Sequence, residues 1–342
     1  MKALYFKKHG DPAVIQYGTV PDPTPAPGEV VVRVRACGIN HLDIWVRRGW
    51  PGLKLDMPHW CGADVAGEIA ALGKEVSGWK LGQRVVVDPG VSLFEDEFTR
   101  RGEDSLSPGY HVLGEHRRGG AADYLAISAA NLALMPDDLD YPEAAAPLLV
   151  TLTAWRMLIH RAGLLPGESV LVVGAGGGVN TMAIQIAKLA GAKVYVVAGN
   201  EEKAEKARQL GADTVLNRSK VNWGSEIYKI TEKRGVDVVV DNVGKATINT
   251  SMMAVRRGGR IVIVGNTSGP QVEIDIRYIF GKQISLIGST MGGHQDFRDV
   301  NRLLWSGKLQ PIIERVMPLS NGKKAYEIME KGEQFGKIVL EP

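Results

Sequence analysis

The sequence predicts an α/β protein in which a small antiparallel β-barrel domain is followed by a doubly wound parallel sheet. Three observations predict it. Ser169–Gly199 reads strand, glycine turn, helix, strand: "SVLVVGAGGGV" runs apolar through Val170–Val173 into Gly174, Gly176, Gly177 and Gly178, "NTMAIQIAKLAGA" has a helix-period apolar face, and "KVYVVAGN" is a second β-branched run. The same β/α alternation then persists for about a hundred residues, as a mostly parallel sheet with both faces covered requires. Before Val150, by contrast, short β runs follow one another with glycine and proline between them, the pattern of a small barrel.

In chain order, "VPDPTPAPGE" is a proline-rich surface connection and "VVVRVRACGI" an alternating strand. "DVAGEIAALG", "VSGWKLGQRVVVD" and "GGAADYLAISAANLALMP" add further short strands, and the polar, mixed-charge "SLFEDEFTRRGEDSLS" is a solvated excursion. Tyr141 to Ala162 reads as helix. After the glycine turn come helix "EEKAEKARQLGA", strand "TVLN", helix "WGSEIYKITEKRG", strand "VDVVVDNVG", helix "ATINTSMMAVRRGG" and strand "RIVIVGNTSG", then "ISLIGST". Beyond Met291 a helix near Asp296–Trp305, a strand "IIERVMPL", a helix "GKKAYEIMEKG" and a strand "GKIVLE" form a tail expected to pack back on the first domain. The division expected is 1–150, completed by 292–342, for the barrel domain and 151–291 for the nucleotide domain.

At 342 residues, 44% hydrophobic and 23% charged, the chain is ordinary for a globular protein with room for two domains. Its formal charge of +3 comes without a basic run, so no nucleic-acid partner is expected. No apolar stretch spans a membrane and "MKALYFKKHG" lacks a signal-peptide core, so no membrane partner and a cytoplasmic location are expected. Cys37 and Cys61 offer neither a disulfide framework nor a thiolate metal cluster.

The glycine turn is the first functional signal. Backbone N–H groups of Ala175, Gly176, Gly177, Gly178 and Val179 are placed to cradle a pyrophosphate at a helix N-terminus. Asn242, Val243 and Gly244, then Gly265, Asn266 and Thr267, end two later strands on the carboxyl edge where dinucleotides bind. At the tip of the second strand stand Ala198, Gly199 and Asn200, where an NAD-specific fold offers an acid to the ribose hydroxyls. Lys203 and Arg218 reach the same corner and favour a 2′-phosphate, although Glu201 and Glu202 oppose it. The cofactor expected is therefore NADP(H) in preference to NAD(H).

The motifs "GDPAVIQ", "ACGINHLDIWVRRG", "PHWCGADVAGEIAALGKEVSGWKLGQRVVV", "LTAWRML", "GAGGGV", "LGAD", "DNVG" and "GGRIVIVG" together resemble the medium-chain dehydrogenase/reductase family along nearly the whole chain. The resemblance implies a GroES-like barrel domain and a Rossmann domain. It also shows where this chain departs from the zinc enzymes of the family. The catalytic zinc ligands would fall at Asn40, Ala63 and near Val150, and none of the three is a metal-binding residue there. Four structural-zinc cysteines would fall at Leu93, Asp96, Thr99 and Ser107. No metal, zinc included, is expected. Asn40, Asp43, Arg47 and Gly49 instead match the pattern of the quinone-oxidoreductase branch, while "YHVLGEH" is shared with enzymes called alcohol dehydrogenases.

The resemblance supplies catalytic candidates in Asn40, which would hold a substrate carbonyl or the nicotinamide ribose, His41, a proton relay, and Asp43. Asp43 and Asp64 read first as acids that stabilise the barrel, each pairing with Arg47 or a backbone N–H. Thr153 resembles the threonine beside the nicotinamide, and "ISLIGST" the edge strand by which family dimers join, so a homodimer or homotetramer is expected. The function expected is NADPH-dependent, zinc-independent reduction of quinones or α,β-unsaturated carbonyls, on a small-molecule substrate. The alternatives are an alcohol dehydrogenase acting on alcohols or aldehydes and a non-catalytic NADPH-binding protein.

Overall fold

In the computed structural model, which describes all 342 residues, the chain begins with strands β1 (Lys2–Tyr5), β2 (Gln16–Thr19) and β3 (Glu29–Gly38) and helix α1 (His41–Arg48). Strands β4 (Asp64–Leu72), β5 (Arg84–Val87), β6 (Gly90–Ser92), β7 (Tyr110–Val112), β8 (Tyr124–Ser128) and β9 (Leu132–Leu134) follow, then α2 (Tyr141–Ala145) and α3 (Leu148–Trp155). The alternating part is β10 (Ser169–Val173), α4 (Gly178–Leu189), β11 (Lys193–Ala198), α5 (Glu201–Gln209), β12 (Thr214–Asn217), α6 (Trp223–Ile230), β13 (Val236–Asp241), α7 (Ile248–Ala254), β14 (Val255–Ile263), α8 (Ile276–Lys282) and β15 (Ser285–Gly288). The chain closes with α9 (His294–Trp305), β16 (Ile313–Pro318), α10 (Gly322–Glu330) and β17 (Lys337–Glu341).

These elements form two units, Met1–Leu149 with Gly292–Pro342, and Val150–Met291. In the first, β3 is the hub of a seven-stranded sheet in the order β16-β17-β3-β4-β5-β9, with β8 also paired to β3. All its pairings are antiparallel except β16 with β17. The alternation in β3 sends Val30, Val32 and Val34 into a core with Ile69, Val85, Leu125, Ile127 and Ile338, while Arg33 faces solvent. Each such side chain contributes about 1.5–3 kcal/mol by leaving water. In the second unit six parallel strands run β12-β11-β10-β13-β14-β15. Every residue of β13 is buried, which is why that strand carries no alternation.

Two stretches differ from the sequence expectation. Tyr141–Ala162 is not one helix: it breaks between α2 and α3 at Pro147, which cannot donate an intrahelical hydrogen bond, and ends in a π-helical turn over Arg156–Arg161. The helix read through "ATINTSMMAVRRGG" stops at Ala254, because Val255 already pairs with Val236 of β13. The polar excursion is tied down by its own side chains. The Asp96 carboxylate accepts from Phe98 N (2.9 Å) and Thr99 N (3.0 Å), and Thr99 Oγ1 accepts from Asp96 N at 2.8 Å. These bonds, with one from Ser107, hold the Asp96 carboxyl below the usual carboxylate range. No helix is long and apolar enough to cross a membrane.

Candidate active site

β3 ends at Gly38, and Asn40 is the N-cap of α1, in extended conformation before the first helical residue. An N-cap side chain normally turns back onto its own helix. Asn40 does not: its Nδ2 donates to Asp64 Oδ2 at 2.9 Å, and its Oδ1 accepts from the Lys337 ammonium. The cap is supplied by Asp43, whose Oδ2 accepts from Asn40 N at 2.9 Å while Oδ1 takes the longer bond from Gly62 N at 3.4 Å. The Asn40 amide is thereby released for use elsewhere.

Asp64, wholly buried at the start of β4, completes the cluster. Its Oδ1 accepts from Leu149 N at 2.7 Å and its Oδ2 from Lys337 Nζ at 2.7 Å. Lys337 opens β17 and is only 4% exposed. The sequence reading missed it, although a lysine leading the apolar run "KIVL" was a signal that a buried anion waits for it.

The remaining barrel candidates lie around this cluster. Asp43 is buried, its two oxygens are committed to backbone N–H groups, and burial pushes its carboxyl up to about 6. These two bonds fix the start of α1 against the Gly62 turn. Arg47 pairs with neither acid: its guanidinium is buried against Glu330 of α10, because α1 turns that face toward α10. His41 stands outside the cluster, its ring edge-on to Trp45 with centroids 5.1 Å apart. Burial and then Arg48 lower its pKa, so the imidazole is neutral at pH 7.

These residues do not make a zinc site. The Asn40 Oδ1 is taken by the Lys337 ammonium, Ala63 has no donor atom, and the cation already seated beside Asp64 is that ammonium. No group of three His, Cys, Asp or Glu residues is arranged to hold a metal ion.

In the second unit, β10 runs into Gly174, whose φ of +97° lets the chain turn sharply toward α4. Around Gly177, the N-cap of α4, a Cβ would meet nothing within 4 Å, so a ligand can lie against this backbone. Gly178 and Val179 open the helix with N–H groups that no preceding turn can satisfy. Asn180 stands where the fingerprint has glycine, yet the turn packs tightly. Its Nδ2 donates to Val173 O (3.0 Å) and Gly174 O (2.7 Å), and its Oδ1 accepts from Asn242 Nδ2 at 2.8 Å. Asn242 Oδ1 in turn accepts from Val264 N at 3.2 Å.

The side chain of Asn242 thereby ties β13 to β14 and to the glycine turn. Asp241, also missed, shapes the next loop by accepting from Val243 N, Gly244 N, Thr247 Oγ1 and Ser251 Oγ. Thr267 N donates to Asn242 O at 3.3 Å, and Gly269 N to Asn266 O at 2.8 Å, so Gly265, Asn266 and Thr267 form a turn beside it. Thr153, buried in α3, bonds the Met291 sulfur at 4.0 Å.

At the tip of β11, Asn200 caps α5 by accepting from Lys203 N at 2.8 Å. The Arg218 guanidinium, exposed, lies 3.7 Å from the point where Gly199 would carry a Cβ. Glu201 is turned to Lys220 (2.7 Å), Asn217 and Arg208, which hold it near a pKa of about 2, and Glu202 pairs with Lys206. The glycine turn and the open space at Gly177 fit the pyrophosphate of a dinucleotide.

The chain resembles known proteins along its whole length. Residues 26–137 match the alcohol dehydrogenase GroES-like domain and residues 178–306 the zinc-binding dehydrogenase domain. A NAD-dependent alcohol dehydrogenase of Saccharolobus solfataricus is 33% identical over the whole of both chains. The quinone oxidoreductase of Homo sapiens is 30% identical over 99% of this chain and 97% of its own. A crystal structure of a NAD-dependent alcohol dehydrogenase superposes over the whole of both chains with a TM-score of 0.96 and 41% identity. The fold and site are those of a nicotinamide-dependent oxidoreductase. The chain belongs to the medium-chain dehydrogenase/reductase family.

Proposed function

We propose that the protein is an NADPH-dependent, zinc-independent reductase of quinones or α,β-unsaturated carbonyls. The observation that carries this reading is the Asn40–Asp64–Lys337 cluster: a neutral amide and an ammonium, both buried, at the position where metal chemistry would need three ligands. NADPH, when bound, supplies the hydride. The chain must then hold the acceptor oxygen as negative charge reaches it. Asn40 Nδ2 keeps a second proton and Lys337 Nζ a third, beyond those bonded within the cluster. A conjugated acceptor spreads the charge, so donors of this kind in a dry site suffice. Drawing a proton from a simple alcohol is more demanding, and nothing in the donor set supplies the Lewis acid that normally assists it. His41, neutral at pH 7, is suited to relay the proton that completes the reduction.

The cofactor preference rests on Arg218 beside Gly199 and on the diversion of Glu201 and Glu202 into their own ion pairs. A charge-assisted bond to a phosphate contributes roughly 1.5–3 kcal/mol, about tenfold or more in affinity.

The test is a steady-state screen of quinones, enones, aldehydes and alcohols with both cofactors, on the wild type and Arg218→Ala, with metal analysis of the purified protein. Reduction of a quinone or enone by NADPH should exceed oxidation of any simple alcohol in kcat/KM, and Arg218→Ala should weaken NADPH about tenfold while sparing NADH. The likeness to NAD-dependent alcohol dehydrogenases favours a second reading. Efficient NAD-linked alcohol oxidation, silence toward quinones and enones, or one tightly held zinc per chain would establish it in place of the first.

A further inference from the structure

Outside the Asn40 cluster, the barrel unit brings a serine, a histidine and an aspartate from three stretches of chain into one line. Asp88 precedes β6 and is 4% exposed; its Oδ1 accepts from Gly90 N at 2.9 Å, which fixes the carboxylate plane. Ser92 closes β6 opposite Tyr110 of β7. His294 opens α9, two hundred residues further on. Its N–H donates to Asp104 Oδ2 at 3.0 Å, and Gly293 before it lies so close to Gly102 and Asp104 that a Cβ would meet them at 2.7 and 2.8 Å. With the start of α9 pinned in this way, both ring nitrogens are engaged: Nδ1 with Asp88 Oδ2 at 2.7 Å and Nε2 with Ser92 Oγ at 2.9 Å.

A carboxylate on Nδ1 fixes the tautomer that turns the Nε2 lone pair toward a serine hydroxyl, the arrangement of an activated nucleophile. Ser92 also lines an open concavity of ≈ 550 Å³ with Phe94, Glu95, Thr99 and Arg100. Leu93 N is bonded to Gly109 O at 3.0 Å, whereas the next two N–H groups, of Phe94 and Glu95, take no part in the backbone hydrogen bonding. They stand one and two residues beyond the serine's own neighbour, on residues that line the same concavity, and an oxyanion formed there would draw on such unbonded donors.

We propose that Ser92, His294 and Asp88 form a second catalytic centre, an acyl-transfer site for small activated esters with the Phe94 side of the concavity receiving the acyl group. Ser92 Oγ bonds to the acyl carbon, the carbonyl electron pair moves onto its oxygen, and the hydroxyl proton passes to His294 Nε2. Collapse breaks the ester C–O bond, and the leaving alcohol takes the proton from His294. Water then attacks the acyl-serine, giving its proton to His294 and from there to Ser92, and the acid is released. Phe94 is half exposed and offers an apolar wall, while Arg100 is held by Glu95 at 2.7 Å and leaves no free charge to demand an anionic substrate.

Burial opposes a charge on His294, but the bond and charge of Asp88, with Asp104 behind it, outweigh that and raise the imidazole pKa; Arg298 pulls it down. The base form therefore fills only above the ordinary histidine value of about 6.5, and reactivity should climb with pH beyond it.

The experiment is labelling of the full-length protein with an alkyl fluorophosphonate, read by intact mass and peptide mapping, with p-nitrophenyl acetate turnover alongside. One adduct per chain on Ser92 is expected, with a rate that rises through the titration of His294. Ser92→Ala should give none, and His294→Gln should react at least 100-fold more slowly while melting within a few degrees of the wild type. Ser92→Ala should retain the NADPH-linked reductase activity. No adduct, an adduct only on another residue, or an unchanged rate in His294→Gln would overturn the proposal and leave the three residues as a hydrogen-bonded clasp between β6 and α9. Should His294→Gln not fold, a wild-type rate flat across pH 6–9 would overturn it as well.

Discussion

Removing the Lys337 ammonium would leave the Asp64 carboxylate fully buried with only the Asn40 amide and the Leu149 N–H as partners. Breaking a buried ion pair on one side costs about 3–5 kcal/mol. Lys337→Met should therefore lower the denaturation midpoint sharply, and adding Asp64→Asn should restore most of the loss, because the orphaned charge goes with it. Recovery absent from the double variant would show that Lys337 matters for shape and not for charge. Asn40→Ala is expected to reduce kcat about 100-fold and to leave the NADPH dissociation constant within about twofold, measured by fluorescence titration. A loss confined to cofactor binding would remove Asn40 from the chemistry. Asp43 makes a pH prediction. Its folded pKa, raised to about 6, exceeds the unfolded value near 3.9, so its contribution to stability is full below about pH 4 and is lost as pH rises through 6. The wild type should thus lose on the order of 3 kcal/mol relative to Asp43→Asn between pH 4 and 7; parallel denaturation curves across that range would contradict it. At this scale the sequence was only half legible. Asn40 and Asp43 lie in one local motif, but the partner that gives Asn40 its meaning is 297 positions away, and no local pattern announces such a contact.

Among the elements, the glycine turn shows how a departure from a fingerprint can be compensated. Asn180 replaces the close packing of a glycine by three hydrogen bonds that join β10, α4 and, through Asn242, β13 and β14. Asn180→Ala removes all three and leaves the Asn242 amide short of a partner, at about 1 kcal/mol or more for each bond. The variant should melt several degrees lower and bind NADPH about tenfold more weakly. Unchanged binding would show that the turn is shaped by its glycines alone. The turn, α4 and the flanking strands were legible because each is set by local periodicity. The bond between Asn180 and Asn242 was not, since a strand-end asparagine reads the same whether it faces a ligand or a neighbouring loop. Pro147 could have been read, and the apolar content on either side of it outweighed the signal.

For the whole molecule, the parallel sheet was easier to foresee than the barrel sheet, because its strands join neighbours through crossover helices while β3 gathers partners from β4, β8 and β17. At the free edge of the parallel sheet, β15 has mostly exposed residues, and Ile276 and Phe280 of α8 are 66% and 68% exposed. An edge of that kind pairs readily, and we expect a homodimer built on it. Light scattering at micromolar concentration should give about twice the chain mass of 37.0 kDa, and Leu286→Lys should halve it; a monomeric wild type would reject the expectation. One more consequence follows from the pairing of β17 with Cys37 and Gly38 at the end of β3. A ribosome delivers the nucleotide unit as one uninterrupted length, free to fold as it emerges, whereas the barrel unit must wait for Lys337–Glu341 to pair with Cys37 and Gly38 at the end of β3. A message cut short before Lys337 loses the cation that neutralises Asp64 and the strand that joins β16 to the end of β3 together. Such a product still carries the whole of Val150–Met291 but leaves β16 without its partner and Asp64 without its cation, so a cell's proteases should remove an unfinished copy faster than a finished one.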